Sequence, residues 1–98
     1  MAWYFIVDTY IDNKGRGEYD EYIEAVKPIV ESYGGKYIVR TENILSLSKD
    51  RNPQRSIVIR FDQKEEMEDC FSSSEYLAIV AKRKNSVDSR AIIVEGME

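Results

Sequence analysis

Tyr19, Tyr22, Ile23, Val26, Ile29, Val30 and Tyr33 recur at spacings of three and four. That period stacks them on one side of an α-helix and creates an apolar stripe that another layer must cover. On either side of this segment the period is different. Trp3 to Ile11 is apolar with Asp8 as its only charge and reads as a largely buried strand. Lys36 to Thr41 reads as a second strand, Ile44 to Ser48 as a short extension or a separate strand, Ser56 to Phe61 as a strongly apolar strand, and Arg90 to Glu95 as the last. Asp62 with Glu65 three residues on resembles a capping box and opens a second helix through Met67, Cys70 and Phe71. Ser72-Ser73-Ser74 interrupts that helix, and Ser73 or Ser74 can cap a further helical segment through Tyr76, Leu77 and Val80. Asp12 to Gly17 and Lys49 to Gln54 read as loops. Pro28 falls inside the first helical pattern, where it removes a backbone donor and is expected to kink the helix at a cost of roughly 3 kcal/mol. Gly34-Gly35 supplies the left-handed stop.

The order strand, helix, strand, strand, helix pair, strand is the split β-α-β arrangement. With right-handed crossovers it implies a ferredoxin-like α+β fold, a mostly antiparallel sheet with its helices on one face. At 98 residues the chain is expected to be a single domain over 1–98. One sheet face is then left without helices. Side chains alternate along a strand, so parity sorts the two faces. Trp3, Phe5 and Val7, with Tyr37 and Val39, Ile57, Ile59 and Phe61, and Ile92 and Val94, form apolar sets expected under the helices. Tyr4, Ile6, Asp8, Tyr10, Ile38, Arg40, Val58, Arg60, Ile93 and Glu95 are left for the open face. That face is too apolar to be merely wet and too charged to be a plain core. Pairing with a second copy, sheet on sheet, is the expected way to cover it.

Hydrophobic residues at 43% and charged residues at 33% describe a globular chain. A net charge of −4 counts against nucleic acid and against anionic membrane surfaces as partners. There is no apolar run long enough to span a bilayer, and the start has no basic region of the signal-peptide kind. The single Cys70 cannot form an intramolecular disulfide, and a cytoplasmic protein is expected. With no His in the chain, imidazole metal ligands and the commonest general base are missing, so neither a metal site nor a cofactor is expected.

A family resemblance follows from particular residues. Tyr4-Phe5-Ile6-Val7-Asp8, Ile11-Asp12, Tyr19, Tyr22, Val26-Lys27-Pro28-Ile29-Val30, Tyr33-Gly34-Gly35-Lys36-Tyr37 and Val39-Arg40 resemble the bacterial family called domain of unknown function 1330. Pro53, Arg55, Val58-Ile59 and Phe61 resemble its third-strand motif. Ser73, Glu75-Tyr76, Arg83 and Glu95-Gly96 resemble its later motifs. The resemblance implies a dimeric α+β barrel in which two ferredoxin-like sheets pack face to face. Relatives of that superfamily include cofactor-free oxygenases, lactone isomerases and haem proteins, so the fold does not decide function.

The candidate ligand residues are Tyr4, Asp8, Arg40, Arg55, Tyr76 and Arg83. Arg40 on an inward face can hold a carboxylate through two parallel hydrogen bonds, or can simply pair with Asp8 or Glu95. Arg55 and Arg83 are expected near the barrel mouth, where they steer an anion or serve as a loop charge and a helix C-terminal charge. Tyr4 and Tyr76 can donate a hydroxyl to a ligand or form the edge of the core. Asp8 is the general-base candidate and Tyr76 the second candidate for moving a proton, against a structural ion pair for Asp8. Cys70 reads as packing. The expectation is a homodimer that binds a small anionic or aromatic molecule in the barrel, lined by Tyr4, Asp8, Arg40 and Tyr76, with cofactor-independent chemistry as an extension. The alternative is a non-catalytic dimeric structural or interaction module. No reaction follows from these residues.

Overall fold

The computed structural model describes residues 1–11, 16–84 and 87–97. β1 (Trp3–Ile11), α1 (Arg16–Ser32), β2 (Lys36–Thr41), β3 (Arg55–Phe61), α2 (Lys64–Ser72), α3 (Ser74–Lys84) and β4 (Val87–Glu95) follow one another along the chain. The sheet order is β2-β3-β1-β4 with every neighbouring pair antiparallel, which is the ferredoxin-like arrangement. The Cα atoms span 34 × 32 × 16 Å, a thickness that admits one sheet and one helix layer and no more. The second sheet face is therefore open.

β1 and β2 have the expected bounds, and α1 buries Tyr19, Tyr22, Ile23, Val26 and Val30 from the expected stripe. α1 starts earlier than Glu18. Arg16 and Gly17, expected in the preceding loop, are helical, and Arg16 reaches Asp20 at 3.5 Å one turn on. The rest of that loop, 12–15, lies outside the described residues. The helix runs on past Pro28 to Ser32. It stops where Gly34 adopts φ +92° and the Gly35 N–H donates to the Val30 carbonyl at 3.0 Å. A side chain cannot be accommodated at position 35, because a Cβ there would stand 2.9 Å from Phe61 Cζ and 2.5 Å from Val30 Cγ1.

Three local expectations shift. Residues 44–48 form no strand. Ser46 Oγ donates to the Ser48 and Arg51 carbonyls and accepts from the Ser48 N–H, so side-chain bonds replace a ladder. The cap of α2 is Gln63 rather than Asp62, with the Gln63 N–H donating to Glu66 Oε1 at 3.0 Å. Asp62 is drawn instead to Arg60 at 2.5 Å. β4 begins at Val87, three residues before Arg90, because β1 still offers Tyr10 and Ile11 as partners there. Ser73 caps α3, its hydroxyl accepting from the Tyr76 N–H at 3.1 Å.

Register corrects the assignment of faces. Directly opposed residues share a face. Phe5 opposes Ile93 and Trp3 opposes Glu95, so Ile93 and Glu95 stand on the helix side. Ile92 and Val94 oppose Ile6 and Tyr4 on the open side. Apolar character misled here because β4 is an edge strand little covered by α3, and Ile92 and Ile93 are both about half exposed, at 60% and 49%. In β2 a register shift between Tyr37 and Val39 reverses the parity. Val39 opposes Val58 on the open face, and Arg40 opposes Ile57 on the helix side.

Candidate functional site

A cavity of about 300 Å³ lies between the sheet and the helices. Its floor is Phe5 and Val7 of β1 with Ile57 and Ile59 of β3, which point inward by strand alternation. Ile23 and Val26 of α1, Phe71 of α2 and Tyr76 of α3 close the helix side, each placed there by the helical stripe that buries it. The remaining wall is Ala91 and Ile93 of edge strand β4. Both are exposed, so the mouth opens between α3 and β4.

The lining is apolar except for two groups of hydroxyls, the Tyr37 phenol and one cation. The Tyr22 hydroxyl donates to the Tyr76 hydroxyl at 3.3 Å, and Arg83 Nη2 donates to the same Tyr76 oxygen at 3.5 Å. The Arg83 guanidinium stands 5.9 Å from the Tyr22 ring centre. Phe71 packs edge-on against Tyr76 with centroids 5.0 Å apart and fixes that ring. Burial, then the adjoining Tyr76 hydroxyl, pushes the Tyr22 phenol above its ordinary value, so it stays protonated and remains a donor. The second group is Thr9, whose Oγ1 lies 3.5 Å from both the Tyr19 hydroxyl and Ser89 Oγ. Burial also raises Tyr37, at the β2 side, to about 12. Cys70 is fully buried and its thiol is pushed up to about 11 by burial, which makes it an inert packing group.

Of the residues singled out in the sequence, Tyr76 and Arg83 line this cavity. Tyr4 and Asp8 stand on the opposite face of the sheet, opposed to Arg60 and Ser56. Asp8 is buried and pairs with Arg51 at 2.5 Å, with Ser56 Oγ 3.4 Å away. It does not pair with Arg40, which the β2 irregularity has turned toward the helices, over the Tyr37 ring at 5.8 Å and toward Glu24 at 3.5 Å. Arg60 takes Asp62, not Glu95. Tyr4, Asp8, Arg40 and Tyr76 therefore do not line one cavity. Sequence reasoning counted Tyr22 and Tyr19 only as helix stripe. Their polar tips within an otherwise apolar stripe were the available signal, whereas Thr9 and Ser89 carried none.

Arg55 lies just outside the cavity lining, over the Tyr19 ring at 5.5 Å. Its Nη2 holds Glu42 at 2.9 Å, and Arg16 Nη2 holds the same carboxylate at 2.6 Å. These two guanidinium hydrogen bonds, Arg16 first, bring Glu42 down to about 2. A carboxyl whose folded value is depressed adds stability above its unfolded value of 4.5, and loses it as pH falls toward 2. Glu42→Gln is therefore expected to melt a few degrees below the parent at pH 7, with the gap closing by pH 2. The effect stays small because the carboxylate is 42% exposed. A pH series of melting curves for both proteins reads it, and a gap unchanged at low pH would rule it out.

Residues 2–97 match the family described as Domain of unknown function (DUF1330). The chain belongs to that family. A search against curated proteins found no match. Among solved structures, the chain is similar to a protein of unknown function from Rhodopseudomonas palustris, with a TM-score of 0.84 and 18% identity over 99% of this chain and 83% of that one. A dimeric ferredoxin-like protein of unknown function from Jannaschia sp. CCS1 matches with a TM-score of 0.82 and 10% identity, over 98% and 100% of the two chains. SnoaB, a cofactor-independent oxygenase from Streptomyces nogalater, matches with a TM-score of 0.71 and 8% identity, over 99% and 94%. At such identities the likeness to solved structures establishes the fold alone. Among the described residues of this DUF1330 chain, no helix is long and apolar enough to cross a membrane.

Proposed function

We propose that this DUF1330 protein is a homodimer, paired through its open sheet faces, in which each protomer binds a small, mostly apolar molecule between its sheet and its helices. The observation that carries the ligand is the cavity of about 300 Å³, apolar over most of its wall and hydroxyl- and guanidinium-lined at one place. Ligand pockets begin at about that size and show that mixture. The dimer rests on an open face carrying Tyr4, Ile6, Val39, Val58, Ile92 and Val94 together, with a dimeric ferredoxin-like neighbour of the same topology in support. Any proton transfer falls to Tyr76 rather than Asp8, since Asp8 is on the far side of the sheet in an ion pair. A cytoplasmic location belongs to the same reading, on the single cysteine.

Thermal shift with tetralin, a two-ring hydrocarbon, tests the cavity. Stabilisation is expected to rise with tetralin concentration, as it must for a ligand of the folded state. Ile23→Trp, which places an indole in the cavity, is expected to abolish that shift while leaving the melt of the free protein within about 2 kcal/mol of the parent. No shift with tetralin, together with Ile23→Trp failing to fold, would mean that the space is a filled core. The non-catalytic dimeric module would then be the better description.

A further inference from the structure

We infer that the Tyr22–Tyr76–Arg83 cluster is a hydrogen-bond-donating site for a single acceptor oxygen, and that the ligand class is a cyclic ketone or quinone of one or two fused rings. This rests on the cavity reading above. Tyr22 and Tyr76 bring two hydroxyl protons to a shared contact 3.3 Å long, which uses one of them. The Tyr76 oxygen accepts from Tyr22 and from Arg83 Nη2, at 3.3 and 3.5 Å, so its two lone pairs are occupied. Its own proton meets no acceptor among the described residues, although the side chain is 93% buried, being 7% exposed, and lines the cavity. A buried hydroxyl donor without an acceptor is costly, and a bound carbonyl oxygen would relieve it.

The rest of the wall defines what else the ligand must be. No carboxylate or carboxamide side chain lines the cavity, so its side-chain acceptors are hydroxyl oxygens and no charged acceptor is placed to hold an ammonium group. The polar groups that do line it, Tyr22, Tyr76 and Arg83 together with Thr9, Tyr19, Tyr37 and Ser89, are hydroxyls and one guanidinium. The first three converge on one spot at the helix side. A molecule with one acceptor oxygen at one end and hydrocarbon elsewhere satisfies both halves. A cavity of about 300 Å³ limits that hydrocarbon to a small ring system. Arg83 adds a positive charge beside the acceptor, which favours a carbonyl that can become an enolate over an ether or a thioether.

The test compares 1-tetralone with tetralin, which differ by the carbonyl alone, and adds 2-naphthoate as an anionic arm, all by calorimetry on the intact protein. The parent is expected to bind both tetralone and tetralin. Tyr76→Phe is expected to weaken tetralone about three- to tenfold, the size of one hydrogen bond, and to leave tetralin within about twofold. Tyr22→Phe, which leaves the Tyr76 proton and the Arg83 contact in place, is expected to change tetralone binding less than Tyr76→Phe does. Equal loss of tetralone and tetralin in Tyr76→Phe would mean the ring is packing only, and the donor assignment falls while the cavity stands. Tetralone lost in Tyr22→Phe but not in Tyr76→Phe would overturn the assignment of the donor. Naphthoate binding tighter than tetralone, and falling with Arg83→Met, would replace the ketone with a carboxylate. Failure of all three probes on the parent protein would overturn both this inference and the binding reading beneath it.

Discussion

Ile92→Glu is expected to halve the particle mass in solution. The parent should sediment as a species of twice 11.4 kDa and the variant as one of 11.4 kDa. Ile92 stands on the open face directly opposite Ile6 and is 60% exposed in the protomer, so a carboxylate there costs the isolated fold little. Facing a second sheet it would be an unpaired charge in an apolar contact, a penalty of several kcal/mol that a protomer interface of ordinary size does not survive. Val94→Glu, on the same face and opposite Tyr4, should act alike. Leu77→Glu is the control. Leu77 is 58% exposed on α3, away from that face, and its variant should stay at the parent mass. Sedimentation at several loading concentrations reads all three. A parent protein of 11.4 kDa at every concentration, or an unaltered mass in both sheet variants, would show that the open face is not the pairing surface.

Phe61→Ala is expected to remove about 3–5 kcal/mol, the largest stability loss of any single truncation in this core. Phe61 is fully buried at the end of β3, opposite Trp3. Its ring lies against the space above Gly35, where a Cβ would be 2.9 Å from Cζ, and 6.3 Å from the Phe71 ring. Three elements lose a common contact when it goes. Because Gly35 has no side chain to move inward, the hole cannot be refilled from the turn between α1 and β2. Domains of this size have about 5–15 kcal/mol in total, so urea unfolding should show a midpoint reduced by a large fraction. Leu47→Ala, at a residue 94% exposed, should stay within about 0.5 kcal/mol of the parent. A Phe61→Ala loss under about 1 kcal/mol would mean the site collapses around the smaller residue and that the close packing at Gly35 is not rigid.

Much of the fold was legible because it is written at short range. The stripe from Tyr19 to Val30 buries as its period requires, and β1 and β2 end where their composition changes. The faces of β1 and β3 followed from alternation because both are central strands, covered on one side by helices. Alternation failed for β4 and for the end of β2. The first is an edge strand whose two faces are nearly equal in apolar character, so only its register against β1 tells Ile92 from Ile93. The second contains an irregularity between Tyr37 and Val39 that no residue type announces, and it moved Arg40 to the other side of the sheet. Residues 44–48 had strand composition but pair with neither edge of the sheet, and Ser46 closes them into a loop.

The site divided in the same way. Tyr76 and Arg83 were identifiable as polar-tipped residues of a helix, and both line the cavity. Tyr4 and Asp8 shared their parity with no cavity residue, and strand geometry alone placed them across the sheet. Local period and composition were enough to find the α1 stripe, the four strands of the sheet and the lack of imidazole chemistry, because these depend on neighbours within a few positions or on residue content. Tertiary structure alone decided that Tyr22 and Tyr76, 54 positions apart, share a hydrogen bond beside Arg83, and that Asp8 meets Arg51 instead of Arg40. Such partners are set by strand register and helix packing across the whole chain, and no local period encodes either.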